Sequence, residues 1–367
     1  MKNFNLVALT FILLISFSTS CKKFSFKDSP EGTWQRVAYE YLDIRDMCQS
    51  PTGTLYYVGD NSSVAVASCT DAATNQNWKY DFTDANFRSI EYTSDNNLIV
   101  TGMEIDGVQD IGPAVLIKLD TLGNQIWRKT FMYGTRTKIY DVIETPDGGF
   151  MMCGYTTSSN DAGYTWSYAL VVKTDKDGNE LWNKIFGDPQ DILEYYELYD
   201  IKKIDNKYVL VGMYEDYTPY GYLLVIDENG NIITEKVYTD DGIFEGVVAT
   251  SDTNLVIVGY SSASYNDSWV LKVDISGNII WESVNEHSQS GYYNDVVEAE
   301  DGGFIAVGSI TAKFNKNGKI VWEKNNSTFE LGMLRVIIPT NDGYYFTTGS
   351  SEFVTKFDEN GEFEKED

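Results

Sequence analysis

Histidine occurs once in this 367-residue chain, as His287, so a histidine-rich zinc site is excluded and any serine–histidine–aspartate triad must run through that residue. Basic residues are also scarce: 28 Lys and Arg face 55 Asp and Glu, a formal net charge of −27. Contact with phosphate backbones is driven by Lys and Arg displacing counterions, so no nucleic acid is expected as a partner. Beyond the first 20 residues no apolar run approaches the ~20 residues of a membrane span. The glycines sit in hairpin-like contexts, not between a strand and a helix, so no phosphate-binding loop is present. Aromatic residues, in contrast, are plentiful: 26 Tyr, 18 Phe and 8 Trp supply ample material for an ordered core.

The amino terminus reads as a secretory leader. Lys2 is followed by an apolar run from Leu6 to Phe17 and then by the small residues Ser18-Thr19-Ser20 before Cys21. The placing of Cys21 resembles a bacterial lipoprotein signal, in which that cysteine becomes the acylated first residue of the mature chain; ordinary secretion is the alternative. Residues 1–20 are then the signal peptide, 21–32 a tether and 33–367 a single domain, with a lipid as the only membrane attachment. Cys48, Cys69 and Cys153 lack metal-ligand spacing. They are expected as three buried thiols, with a Cys48–Cys69 disulfide as the other possibility.

Self-similarity organises the rest. A glycine after a short apolar run recurs about every 40 to 60 residues as Gly59, Gly102, Gly154, Gly212, Gly259, Gly308 and Gly349. Trp78, Trp127, Trp182, Trp281 and Trp322 form a second landmark; Thr234 replaces Trp in the fifth copy, and Trp34 precedes the first. Asp-x-x-Gly turns such as Asp120–Gly123, Asp175–Gly178 and Asp358–Gly361 form a third. Between them run short Val, Ile, Phe and Tyr stretches bounded by Asp-Gly and Asn-Gly, which argue for strands and hairpins. Four strands per copy, exemplified by Ile139–Thr145, Phe150–Tyr155, Ala169–Thr174 and Glu180–Phe186, predict an all-β, seven-bladed β-propeller. The last repeat holds only three strands, so the segment around Trp34 is expected to supply its fourth and close the ring.

Alternation of the connections sorts them between two faces. Turns on one face are short and uniform, whereas those on the other vary and carry Tyr and Trp beside acids. Variable loops on a rigid scaffold are where binding residues tend to lie. The candidates are Tyr164, Trp166, Tyr195, Tyr214, Tyr217, Tyr220 and Tyr265 with Asp188 and Asp216, a set that suits sugar rings or buried peptide anchors. The alternative is that these rings pack on their own loops. Aligned inner strands place Asp46, Asp141, Asp200 and Asp295 at one level, with Ser89, Gly246 and Arg335 completing it. Four channel carboxylates could hold a cation, or they could cap backbone amides. The acid-rich turn at Asp175 hints at calcium, but equivalent turns lack the extra carboxylates.

The element Lys118-Leu-Asp120-Thr-Leu-Gly123-Asn-Gln-Ile-Trp127 resembles the quinoprotein (PQQ-type) propeller repeat, in which Asp, Gly and Trp tie adjacent blades. The whole pattern is similar to the repeat propellers of Bacteroidetes-type envelope lipoproteins, over roughly residues 34 to 361. That resemblance implies a noncatalytic propeller of the outer-membrane envelope, without a cofactor. The reading is therefore a monomeric lipoprotein binding a glycan or an envelope protein, with a polysaccharide-acting glycosidase or lyase, or an assembly scaffold, as alternatives.

Overall fold

The computed structural model describes residues 35–37, 43–60, 65–70, 76–82, 84–105, 112–159, 165–187, 194–261, 267–285, 291–326, 332–340, 343–350 and 353–362. Cys21, Trp34, Tyr164, Asp188, Tyr265 and His287 lie outside them. The described elements are strands, arranged as seven four-stranded antiparallel blades in a ring, a β-propeller. No helix among the described residues is long and apolar enough to cross a membrane.

Strand β1 (Gln35–Val37) is first in the chain but belongs to the last blade. Blade one holds β2 (Asp43–Gln49), β3 (Leu55–Asp60), β4 (Ala65–Thr70) and β5 (Gln76–Phe82). Blade two holds β6 (Ala85–Tyr92), β7 (Asn97–Glu104), β8 (Ala114–Asp120) and β9 (Gln125–Phe131). Blade three holds β10 (Arg136–Glu144), β11 (Phe150–Ser159), β12 (Thr165–Thr174) and β13 (Glu180–Phe186). Blade four is β14 (Glu194–Ile204), β15 (Lys207–Asp216), β16 (Thr218–Asp227) and the first part of β17 (Ile232–Ala249). The 18-residue β17 then continues as the inner strand of blade five, beside β18 (Leu255–Ser261), β19 (Asp267–Val273) and β20 (Ile279–Asn285). Blade six is β21 (Tyr293–Glu298), β22 (Phe304–Gly308), β23 (Ile310–Phe314) and β24 (Ile320–Asn325); blade seven is β25 (Leu334–Pro339), β26 (Tyr344–Gly349) and β27 (Phe353–Asp358).

Closure follows the expected route. β1 pairs antiparallel with β27, matching Gln35 with Thr355 and Val37 with Phe353. The hydrophobic core is divided among the blade interfaces. Ile44, Leu55, Tyr57 and Val66 of blade one pack on Val336, Phe346 and Val354 of blade seven, and comparable clusters fill the other six interfaces. Full burial of each such side chain stabilises by roughly 1.5–3 kcal/mol, so the ring is held through its interfaces as well as by the β1 seam.

The seven landmark glycines have one physical cause. On each inner strand the ladder skips a residue, and the residue just before that bulge pairs with the glycine: Ile44 with Gly59, Phe87 with Gly102, Ile139 with Gly154. A Cβ on Gly102 would stand 2.0 Å from the Asn86 carbonyl oxygen, and one on Gly308 1.9 Å from that of Tyr292. Only glycine admits this approach.

The tryptophan landmark is also explained. The indole N–H groups of Trp78, Trp281 and Trp322 donate to carbonyls of Thr121, Lys316 and Glu359 at 2.9, 3.1 and 2.9 Å, each in the next blade's Asp-x-x-Gly turn or, for Lys316, its Asn315–Gly318 equivalent. Those turns bring a positive-φ glycine against the ring. Where Thr234 replaces Trp, its hydroxyl donates to the equivalent turn carbonyl, that of Ile275, at 3.1 Å, and Lys236 and Tyr238 donate to the Gly277 carbonyl beside it. In Asp175 the carboxylate accepts amide bonds from Asp177 and Asn179, as its counterparts do in the other turns, which gives it a backbone role.

One sequence expectation changes, and the cysteines take the expected thiol form. Trp166, Tyr214 and Tyr220, assigned by the sequence to variable connections between second and third strands, sit on strand extensions; Trp166 pairs with Ser158 inside the β11–β12 ladder and Tyr214 with Tyr220 in β15–β16. Cys48, Cys69 and Cys153 are free. Cys48 and Cys69 flank Tyr56 on either side of β3, about 9–10 Å apart at the usual strand spacing, beyond disulfide reach.

Replacing Gly308 by Ala should destabilise by about 2–4 kcal/mol, whereas Gly302→Ala, whose Cβ meets nothing within 4 Å, should cost about 1 kcal/mol for its φ of +74°. Denaturant titration of the two variants checks the difference; equal losses would contradict the close-approach explanation.

Candidate functional site

The inner strands line a central cavity of about 820 Å³, within the range of small-molecule sites. Its side chains form levels set by the bulges. Because the ladder skips Arg45, Arg88, Tyr140, Tyr199, Glu245, Asn294 and Arg335, these seven residues form one ring near the starts of the inner strands, the face of the variable connections. Arg335 therefore sits at this level and not with the aspartates; Val336 takes the place the sequence alignment gave it.

One residue further along lie Asp46, Ser89, Asp141, Asp200, Gly246, Asp295 and Val336. Their carboxylates bind backbone across blade boundaries. Asp46 accepts from the amide of Met47 in its own strand and of Ile90 in the next blade, both at 2.8 Å. Asp141 accepts from Val142, Ile201 and the Ser89 hydroxyl at 2.8, 3.1 and 2.7 Å. Asp200 accepts from Val247 at 2.7 Å, and Asp295 from Val296 and Ile337 at 2.8 and 2.9 Å. These four carboxylates are thus interblade caps.

Deeper still, Lys202 pairs with Asp200 and lies 3.7 Å from Asp141. Burial opposes its charge, but Asp200, Asp141 and Asp295 outweigh it and hold the ammonium well above the ordinary lysine range. No group of three or more histidine, cysteine or acidic side chains among the described residues is arranged to hold a metal ion.

The ring is divided by charge. Blades seven, one and two contribute Arg335, Arg45 and Arg88, whereas blades three to six contribute Tyr140, Tyr199, Glu245 and Asn294. Arg45 is neutralised by Asp43 and Asp60, both at 2.9 Å, and Arg335 by Asp43 at 3.0 Å. Arg88 has no ion pair or hydrogen bond among the described residues, and its Nε is enclosed. Glu245 likewise has neither. Tyr140 and Tyr199 meet edge to face at a centroid distance of 5.0 Å, with their hydroxyls turned to Glu197 at 3.5 and 3.2 Å.

The outer candidates divide differently. Blade four rises above its glycine landmark into a hairpin, Glu194–Tyr196 beside Tyr214–Asp216 beside Thr218–Tyr220. Tyr196 packs on Tyr214 at 4.8 Å, Tyr214 stacks on Tyr220 at 6.1 Å, and the Tyr196 and Tyr214 hydroxyls donate to Glu194. Tyr195 is half-buried and donates to the Thr165 carbonyl at 3.1 Å. Trp166 is only 8% exposed. At the hairpin tip, Tyr217 is 81% exposed with φ of +63°, next to exposed Asp216.

Six ring residues were absent from the sequence candidates. Their signal is available in hindsight: each follows the pairing partner of a landmark glycine. Buried Lys118, Lys173, Lys272 and Lys313, which bind Asp95, Asp147, Asp252 and Asp301 in the turns between first and second strands, carry a comparable Lys-x-Asp or Lys-x-Asn signal.

No family model and no curated protein matches the chain. Solved structures do. A catalytically inactive variant of virginiamycin B lyase from Staphylococcus aureus, with quinupristin, is similar at 13% identity and a TM-score of 0.63, over 89% of this chain and 99% of that one. Sqt1 from Chaetomium thermophilum bound to the N-terminus of ribosomal protein L10 is similar at 11% identity and a TM-score of 0.55, over 90% and 100%. The WD40 β-propeller domain of Doa1 is similar at 12% identity and a TM-score of 0.55, over 89% and 97%. At these identities the likeness is one of fold.

The channel acids fix the direction of pH dependence. Burial pushes Asp46 up to about 8, Glu91 and Glu245 to about 7, and Asp295 to about 6. Each holds its proton more tightly folded than unfolded, so stability falls as pH rises from about 4 towards 8. The Lys272 ammonium beside Asp252 holds that carboxyl at about 2, a contribution lost only as pH falls from about 4 to 2. Thermal unfolding should therefore show its highest Tm at about pH 4–5.5 and a decline to pH 8. Glu245→Gln should make that decline shallower; a Tm that stays level or rises between pH 5 and 8 would contradict the assignment.

Proposed function

We propose that this chain is a noncatalytic binding propeller of the cell envelope that engages a protein partner through the face bearing its variable connections. The observation that carries this reading is the blade-four hairpin, which lifts one aromatic ring, Tyr217, into solvent beside Asp216 while the tyrosines beneath it brace one another. A large exposed ring on a rigid support is the form of a binding anchor, because aromatic side chains bring contact area at low entropic cost. A left-handed backbone at a non-glycine tip is a strained conformation of the sort found at functional positions.

The Sqt1 propeller, solved with the N-terminus of ribosomal protein L10, supports a peptide-bearing partner by analogy of fold alone. Envelope residence rests on the leader and Cys21, through which a lipid would anchor the mature chain. Of the remaining sequence candidates, Tyr164, Tyr265 and Asp188 lie outside the described residues and join the proposed surface on sequence grounds alone. A glycan laid on the Tyr217 ring is the competing occupant, and an enzyme acting on polysaccharide is a further alternative. The second of these finds little support in the channel aspartates, each of which is committed to backbone amides.

A photo-crosslinking amino acid placed at position 217 in the native host should capture a discrete, protease-sensitive adduct, and one at Asn229, on the opposite face, should not. A protease-resistant adduct at 217 would replace the protein reading with a glycan. Equal capture at both positions, or none at 217, would overturn binding through this face.

A further inference from the structure

The channel ring holds two ionisable groups that have no ion-pair or hydrogen-bond partner among the described residues. Arg88 belongs to blade two and Glu245 to blade five. Both line the cavity, and neither makes an ion pair or hydrogen bond among the described residues. Their surroundings make this unusual. Every other charged group of the ring is compensated, Arg45 and Arg335 by Asp43 and Asp60, while Lys202 below is compensated by Asp200 and Asp141. Both side chains are half-buried and face the cavity from blades two and five, so a ligand entering it meets a complementary pair of open positions.

Arg88 and Glu245 do not neutralise each other. The groups that most affect Arg88 are Arg45, the Tyr140 hydroxyl, Asp60 and Arg335; those affecting Glu245 are Arg335 and Glu197. Between them, in ring order, stand Tyr140 of blade three and Tyr199 of blade four, whose hydroxyls are engaged by Glu197 and whose rings remain beside the cavity. The sequence of groups around this arc is cation, aromatic, aromatic, carboxylate.

We propose that the channel mouth binds a small zwitterion of the free-terminus peptide class, with its carboxylate at Arg88, its ammonium at Glu245 and its backbone along Tyr140 and Tyr199. A simple anion would satisfy Arg88 and leave Glu245 unpaired, in a protein whose net charge of −27 already repels it. A simple cation would leave Arg88 unpaired. Only a ligand carrying both signs satisfies both residues, and arginine offers its fork to a carboxylate in bidentate fashion. The site is separate from the Tyr217 hairpin and stands or falls without it.

Calorimetric titration with trialanine, N-acetyl-trialanine and trialanine amide tests the proposal. Trialanine should bind, and blocking either end should weaken binding roughly tenfold or more. Arg88→Gln should remove the penalty for amidating the carboxylate while keeping the penalty for acetylation, and Glu245→Gln should do the reverse. Because Arg88 has no partner to lose, Arg88→Gln should melt no lower than the parent; Tyr217→Ala should leave all three titrations unchanged. No binding of trialanine at millimolar concentration, equal affinity for the three peptides, or a lowered Tm of Arg88→Gln would each overturn it.

Discussion

The constraint on which the structure rests is the close approach of two backbones at each inner strand, possible only where the second strand carries glycine. With glycine there, the carbonyl of the first strand comes within 1.9–2.5 Å of where a Cβ would stand, and the ladder skips the next residue but one. That skipped residue turns into the channel. The residue after it lies close enough to the neighbouring blade to bond its backbone. One local feature thus produces a ring of variable side chains and, directly beneath, a layer of carboxylates that ties blade to blade.

These two levels answer to different demands. Asp46, Asp141, Asp200 and Asp295 each accept an amide from a strand of another blade, a task that fixes their identity whatever the channel contains. The ring above makes no such bond at Arg88 and Glu245 among the described residues, so no described contact requires those charges there. A half-buried carboxylate that holds its proton up to about 7 and a guanidinium whose charge its surroundings disfavour both work against stability. Cost without structural return is the pattern of a functional position.

Much of the fold was legible in the chain because its features are local and repeated. Gly59 through Gly349, the Asp-x-x-Gly turns and the tryptophans mark close approaches, positive-φ turns and blade-to-blade docking, each a short-range demand on residue type. Even the exception at Thr234 was visible, although the bond its hydroxyl makes to the Ile275 carbonyl was not, since that depends on which side chain reaches the turn across the interface. Strand ends were less legible: the Thr and Tyr around Trp166 and Tyr214 read as loop, but tertiary pairing extends the ladders through them. The ring was missed because a bulge changes facing by one residue, and an alignment by residue type drew Arg335 to the aspartate level. That Arg88 lacks a partner is a property of seven assembled blades and has no signal in any one repeat.

The most direct measurement is a crystal structure of this protein soaked with trialanine. The account predicts peptide density across the ring, its carboxylate oxygens within hydrogen-bond distance of the Arg88 guanidinium and its amino group within the same distance of a Glu245 oxygen. Arg88 folded back onto an acidic side chain of the protein, with the channel mouth empty of peptide, would contradict it.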